Sequence, residues 1–415
     1  MKTASVDKST AGIVRGEILK RIMEQGKFTI PEIVERTGAS PTTIAKYVFD
    51  MQVTGLLDVI DTVKSEHRGR RPLLYGLKSK ELYFIGVDMK YFSLDIGIMD
   101  LRGNILDTKH VRDFKYENSF SKLEEVVVAV RDFIKGLENI DPAQIQCICF
   151  SLGGRVNSAR GTSASIFDFE EFRDTSLAEF LEGRLGYRVI LENDTKVMAY
   201  GEYMSLGDDS IRDMLYINIG WGLGLGIIVD GKLLAGHKGY AGEFGHVPFY
   251  DNDVMCHCGK KGCIETEVSG NAVYRKLIQR VKEGEQSLLS RKILSGEGIT
   301  LKDIIFAAEK EDPLCVDLIS QMGSQLGRHV AGLINIFNPE CIMVGGTFAE
   351  AATYYFLHPM NDSIRKYSLR LMSNDVQVKT SILGERSGVF GACVLARNRS
   401  FLEQYSNVEM QKTRV

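Results

Sequence analysis

The residues best able to do chemistry lie between Glu243 and Glu265. The segment reads Glu-Phe-Gly-His, then a short loop, then Cys-His-Cys-Gly-Lys-Lys-Gly-Cys-Ile-Glu. His246, Cys256, Cys258 and Cys263 offer one nitrogen and three sulfur donors, a set suited to a tetrahedral zinc ion. Three cysteines in a glycine-bearing loop with a histidine upstream make a metal signal that two cysteines would not. The plain alternative is a group of reduced surface thiols. His257 competes as a ligand because it stands between two of the cysteines. His246 is preferred, since adjacent Cys-His-Cys side chains rarely all converge on one ion. Glu243 and Glu265 sit just outside the donors, so an ion that pins this loop would also fix where both carboxylates point.

The elements that must position this loop are those of an ordinary globular chain. There are 415 residues, 44% apolar and 25% charged, enough for two or three domains. No apolar run approaches the roughly 20 residues of a membrane span. With no export segment and eight cysteines, the expected setting is a reducing cytoplasm and the thiols are not a disulfide framework. Charge is uneven. Residues 1–80 hold 14 Lys and Arg against 9 Asp and Glu, in a chain of net charge −3. A basic head on an acidic body points to nucleic-acid contact through the head.

The head has a pattern of its own. Val14, Ile18, Leu19, Ile22 and Met23 recur at helical spacing. Ile30, Ile33 and Val34 begin a second helix with Pro31 in its first turn, and Gly38 breaks it. Ser40-Pro41 starts a third helix with a buried stripe of Ile44, Val48 and Met51. That leaves Thr42, Thr43, Lys46 and Tyr47 facing outward, a helix-turn-helix pattern. Leu56 to Ile60 and Leu73 to Tyr75 read as two strands. Between them lies a basic loop from Lys64 to Pro72, whose Arg68, Arg70 and Arg71 would form a wing able to enter a minor groove. The third helix would read the major groove of operator DNA. The alternative is a small protein-interaction domain with a solvated hairpin.

Beyond residue 80 strands alternate with long helices, and glycines sit at strand ends, the arrangement of an α/β fold with ligand sites there. Strands are expected at Tyr83 to Asp88, Ser93 to Met99, Ile105 to Val111, Ile145 to Ser151, Met214 to Ile219 and Cys341 to Val344. A glycine loop is expected from Gly220 to Gly226, with Ile227 to Val229 pairing back through an Asp230-Gly231 turn. Helices are expected over Ser121 to Leu137, Val316 to Phe337 and Gly388 to Arg397.

Several motifs together resemble the ROK family, which joins sugar kinases and repressors. They are Gly-Glu-Phe-Gly-His at 242–246, the cysteine cluster through Glu265, Glu-Asn-Asp at 192–194, and Asn-Pro-Glu to Gly-Gly at 338–346. The head makes the chain resemble the repressor branch, such as the xylose and N-acetylglucosamine repressors. The resemblance implies an actin-like, two-lobed sugar kinase fold behind a winged helix-turn-helix. The expected domains are 1–80 (DNA-binding head), 81–195 with 381–400 (first lobe), 196–380 (second lobe, with zinc motif and oligomer surface) and 401–415 (tail). It places Asn193, Asp194, Glu243, His246, Glu265 and Gly154 against sugar hydroxyls in a cleft. Zn2+ falls on His246, Cys256, Cys258 and Cys263. Carboxylates and amides suit this work because each can pair with hydroxyls that both donate and accept.

The same resemblance argues for a sensor over an enzyme. Family kinases place glycines and a Thr after the first strand, where this chain has Asp88-Met89-Lys90-Tyr91-Phe92-Ser93. Bulky side chains there would block close backbone approach to phosphates. Trp221 stands where a second loop has Thr, and Gly153-Gly154 lacks the family's intervening Pro. Asp194 holds the family base position. The expected protein is a cytoplasmic, sugar-responsive repressor that acts as a homodimer or homotetramer on double-stranded operator DNA, away from membranes. An ATP-dependent sugar kinase with a fused regulatory head is the alternative, and control by a protein partner is a third reading. Removing residues 1–80 is expected to abolish salt-dependent duplex binding in an electrophoretic shift assay.

Overall fold

A computed structural model describes residues 10–53, 55–62, 72–77, 82–169, 172, 175–207, 211–351 and 353–406. The described residues fall into two compact units. One takes in the chain up to Leu152, then Ser158–Glu192, then the chain from Ala392 on. The other comprises Gly153–Asn157 and Asn193–Gly391.

In the first unit the head opens with helices Thr10–Gln25, Ile30–Thr37 and Pro41–Val53. Val14, Ile18, Leu19, Ile22, Ile33, Ile44, Val48 and Met51 are buried, as the 3.6-residue spacing requires. Thr29 and Glu32 form a capping box at the second helix, and Gly38 ends it at φ 65°. Ser40 Oγ accepts from Thr43 N at 3.1 Å and so starts the third helix. On that helix Thr42 and Lys46 are exposed, while Thr43 and Tyr47 are half-buried. The Arg15 guanidinium lies 5.1 Å from the centre of the Tyr47 ring, which limits how freely Tyr47 faces solvent. The sheet has three strands, not two, in the order Lys27–Thr29, Leu73–Leu77, Leu57–Thr62. Lys27–Thr29 is too short to show a period in sequence. It forms because buried Phe28 stacks on Tyr75 across the pair, ring centres 5.7 Å apart. Residues 63–71 of the basic loop, with Arg68, Arg70 and Arg71, lie outside the described residues.

The rest of the first unit is built on a five-stranded sheet. Its order is Val189–Asn193, Ile145–Leu152, Tyr83–Met89, Leu94–Asp100, Ile105–Val111. Tyr83–Met89 is buried along its whole length, so it reads in sequence as an apolar run broken only by Asp88 near its end. The closing helix spans Ser387–Ser406. The segment from Phe401, expected as a polar tail, continues that helix to Ser406 because the Phe401 ring is buried.

The second unit has a five-stranded sheet in the order Lys232–Leu233, Leu223–Val229, Met214–Ile219, Cys341–Gly345, Gln377–Thr380. Asp230 and Gly231 turn at φ 51° and 71°, the paired positive values of a type I′ hairpin. The glycine loop is shorter than its sequence suggests. Only Gly220, Trp221 and Gly222 turn the chain, and Leu223–Val229 pairs with Met214–Ile219 in unbroken antiparallel register. Gly224 and Gly226 therefore serve packing. Added Cβ atoms there would fall 2.1 Å from Thr195 Oγ1 and 2.3 Å from Ala199 Cβ. Both neighbours belong to the helix Asp194–Leu206, which must lie flush on the strand. Gly226→Val is expected to cost about 1–3 kcal/mol by overpacking and to lower the thermal midpoint. Gly220→Ala, where an added Cβ meets nothing within 4 Å, should leave that midpoint unchanged in the same scan.

Candidate functional site

All the sugar- and metal-site residues expected from sequence lie in the second unit. They form two clusters joined by the short segment Gly153–Asn157. The first cluster sits at the start of the helix Asp194–Leu206. Asn193 caps that helix, with Oδ1 accepting from Lys196 N at 3.1 Å. Its amide Nδ2 donates to Gly154 O at 2.9 Å and to Asp194 Oδ1 at 3.0 Å. Asp194 Oδ1 also accepts from Thr195 N at 2.6 Å. The buried Lys196 donates its ammonium to Gly239 O and ties this helix to the loop that leads into Glu243.

The second cluster is the cysteine loop. Gly262 turns it at φ 72°, where an added Cβ would meet Tyr250 O at 2.0 Å. Phe249 N and Tyr250 N both donate to Gly262 O, at 2.8 and 2.9 Å. Ile264 N donates to Val247 O at 3.0 Å, and Cys256 N to Lys260 O at 2.8 Å. These bonds fold two separated stretches into one knuckle. They bring the donor atoms of His246, Cys256, Cys258 and Cys263 within 4.8 Å of one another, a group that could hold a metal ion. His246 Nδ1 lies 3.5 Å from Cys256 Sγ, and the sulfurs of Cys258 and Cys263 are 3.6 Å apart. Burial outweighs nearby Glu265 and Glu243 and holds the His246 imidazole below its ordinary pKa. A neutral ring is the form that lends a lone pair to a metal.

Both carboxylates lie against this knuckle, with partners that sequence did not reveal. His246 Nε2 lies 3.8 Å from Glu243 Oε2, which also pairs with Arg155 Nε at 3.5 Å. Arg155 has no local sign of this pairing in sequence because its partner lies far along the chain. Its one signal was its place straight after Gly153-Gly154, at the end of a buried strand. Glu265 Oε2 accepts from Leu223 N at 3.0 Å, and Oε1 accepts from His257 Nδ1 at 2.9 Å. Burial pushes the Glu265 carboxyl up, yet these two bonds prevail and hold it below the usual range. Gly222 leaves the space, since a Cβ there would come within 2.8 Å of Glu265 Oε2. The same atoms present a second three-donor group, His246, His257 and Glu265.

Two positions read as altered phosphate loops also have definite partners. In the first unit Asp88 is fully buried, accepts from Ser151 Oγ at 2.7 Å and pairs with Lys90 at 3.1 Å. Tyr91 and Phe92 follow, exposed and edge to face. In the second unit Trp221 is half-exposed and packs on Tyr274, ring centres 5.5 Å apart.

Comparison with known proteins finds relatives along most of the chain. The family model described as ROK family matches residues 84–399. A glucokinase of Streptomyces coelicolor is 32% identical over 317 residues, 75% of this chain and 97% of the relative. The DNA-binding transcriptional dual regulator NagC of Escherichia coli is 26% identical over 381 residues, 92% of this chain and 91% of the relative. Among solved structures, a ROK family transcriptional regulator that is a homologue of the E. coli MLC protein superposes with TM-score 0.77 at 25% identity. It covers 96% of this chain and 98% of its own. A ROK family glucokinase from Streptomyces griseus, in complex with glucose and AMPPNP, superposes with TM-score 0.64 at 30% identity, covering 76% and 99%.

Behind the knuckle, Tyr250 OH lies 2.8 Å from His329 Nε2 and donates to Gln325 Oε1 at 3.0 Å. Burial, aided by Arg328, lowers the His329 pKa to about 4. The unfolded chain then binds a proton at His329 more readily than the folded chain. The resulting stability is complete above pH ~6.5 and is lost as pH falls from there through about 4. Denaturation midpoints measured across this window should drop, and His329→Leu should flatten the His329 part of that slope.

Proposed function

The chain belongs to the ROK family, and from that premise we propose that it is a sugar-responsive transcriptional regulator with a repressor's architecture. The carrying observation is where the relatives stop. The glucokinases fit almost whole into about three quarters of this chain, whereas the regulators also span the head. A helix-turn-helix with exposed Thr42 and Lys46 supplies the DNA-facing element of that reading. The basic loop, with Arg68, Arg70 and Arg71, would add phosphate and minor-groove contacts.

The residues present suit zinc. A tetrahedron with Zn–S bonds of ~2.3 Å has edges of roughly 3.8 Å. The 3.5 and 3.6 Å donor separations match that scale. The ion would be held by His246, Cys256, Cys258 and Cys263, and when bound it would supply a structural clamp on the knuckle. His246 would then turn Nε2 toward the sugar while Nδ1 faces the metal. Glu243, Glu265 and Asp194 would accept hydrogen bonds from sugar hydroxyls, and Asn193 would accept through the second lone pair of Oδ1, with Gly154 holding its amide. A sugar missing one hydroxyl leaves one of these groups covered by the ligand and unpaired, which is how such a site selects.

Turnover is disfavoured by the side chains that occupy the phosphate positions. Lys90 is committed to Asp88, and Trp221 offers no hydroxyl. Asp194 could take a proton from a sugar hydroxyl, and the bulky run Met89 to Phe92 is unlike the glycines that let a backbone approach phosphate. The kinase reading remains the second one, since the glucokinases are at least as similar in sequence as the regulators. Sugar binding controls DNA only if it favours one conformational state over another. Two half-sites would call for a homodimer or homotetramer, acting in the cytoplasm.

The test uses the full chain, a panel of sugars, ATP and an operator duplex. One sugar should raise the thermal midpoint and change duplex affinity, with ADP release at background. Elemental analysis should find one zinc per chain, and Cys258→Ser should lose both the metal and the sugar response. Sustained ADP release would overturn the regulator reading in favour of the kinase. A metal-free chain that still responds to sugar would overturn the clamp.

A further inference from the structure

One side chain in the knuckle has no part in the function proposed above. His257 stands between Cys256 and Cys258 in sequence, and its ring is exposed, with 69% of its side chain accessible. Even so, it keeps a 2.9 Å contact from Nδ1 to Glu265 Oε1. Its ring also meets that of His246 edge on, centres 4.8 Å apart. Cys256 Sγ lies 4.0 Å from His257 Nδ1 and 3.9 Å from Glu265 Oε1, so sulfur, imidazole and carboxylate touch in turn.

We propose that His257 is a positioning residue that aims the Glu265 carboxylate and links that aim to the metal knuckle. The proposal deepens the sugar-site reading and rests on it. A glutamate's last torsion is broad and roughly two-fold, so a carboxylate held at one oxygen can still swing. Glu265 is held at both. The Leu223 N–H fixes Oε2 at 3.0 Å, and Gly222 makes room for it there, since an added Cβ would come within 2.8 Å. His257 fixes Oε1 and so sets the plane of the group. Each oxygen keeps a lone pair for a hydroxyl, in a direction His257 decides. Cysteine donors on both sides of residue 257 would hold its backbone once a metal is bound. The ring then connects the metal loop to the carboxylate by a hydrogen bond, and through Leu223 N to the start of the strand Leu223–Val229.

The test compares the full chain with His257→Ala and His257→Asn, since an asparagine Nδ2 lies near the place of imidazole Nδ1. Glucose and its epimers mannose and galactose, together with xylose and N-acetylglucosamine, are titrated by calorimetry, and metal content is measured on each protein. His257→Ala should keep one metal per chain, bind its best sugar about tenfold more weakly and discriminate less between epimers. His257→Asn should recover most of both. A second readout needs no sugar. Exchange of the Leu223 amide, whose acceptor is Glu265, should quicken in His257→Ala and slow again in His257→Asn. If the unaltered chain binds none of these sugars, the sugar reading fails, and Leu223 exchange still decides the role of His257. Unchanged selectivity or unchanged exchange in His257→Ala would overturn the proposal. So would loss of metal in that variant or two metals per unaltered chain, because His257 would then be a ligand.

Discussion

Glu265 is the point on which the site turns. It is a carboxylate largely withdrawn from water, and a charge in that position must be hydrogen-bonded or give up its ionisation. A backbone N–H at Leu223 and the His257 ring meet that demand. Meeting it requires three things at once. The turn at Gly222 must lack a side chain, the strand that begins at Leu223 must run in register, and the knuckle must hold residues 257 and 265 together. The glycines at 224 and 226 follow from the same strand, because they let the helix with Asp194 lie against it.

The knuckle itself is organised by donors that would otherwise be poor neighbours. Cys256 and Cys263 are buried, and all eight cysteines of the chain are free thiols. Burial drives the Cys256 thiol up to about 12, which without a positive partner would keep it protonated. A divalent ion reverses that preference by stabilising thiolate directly. The loop's backbone bonds to Gly262 and Lys260 bring the sulfurs together, so metal binding would complete a geometry that the chain has already begun.

Much of this was legible along the chain. The donor set, its spacing and the flanking carboxylates were readable because they lie within one short stretch and their chemistry is carried by residue type. The head's helices were readable from their apolar spacing and caps. The Asp230-Gly231 hairpin was readable because few other residue pairs accept two positive φ angles. Other features left no local trace. The Asn193 amide reaches Gly154 across 39 residues, and Glu265 reaches Leu223 across 42. Strands Lys27–Thr29 and Gln377–Thr380 are too short for a two-residue period to stand out. The glycine run read as a loop because glycine is common in turns. Here it marks a strand pressed against a helix, a meaning only the neighbour supplies.

Sequence by itself determined the family, the donor atoms and the division into basic head and acidic body, because these depend on which side chains are present and on short spacings. Tertiary structure alone decided that Arg155 faces Glu243, that Lys90 is spent on Asp88, and that His257 turns to a carboxylate. Each of those is a pairing of charges or hydrogen-bonding groups whose strength depends on distance and burial. Distance and burial exist only once the strands and helices have packed.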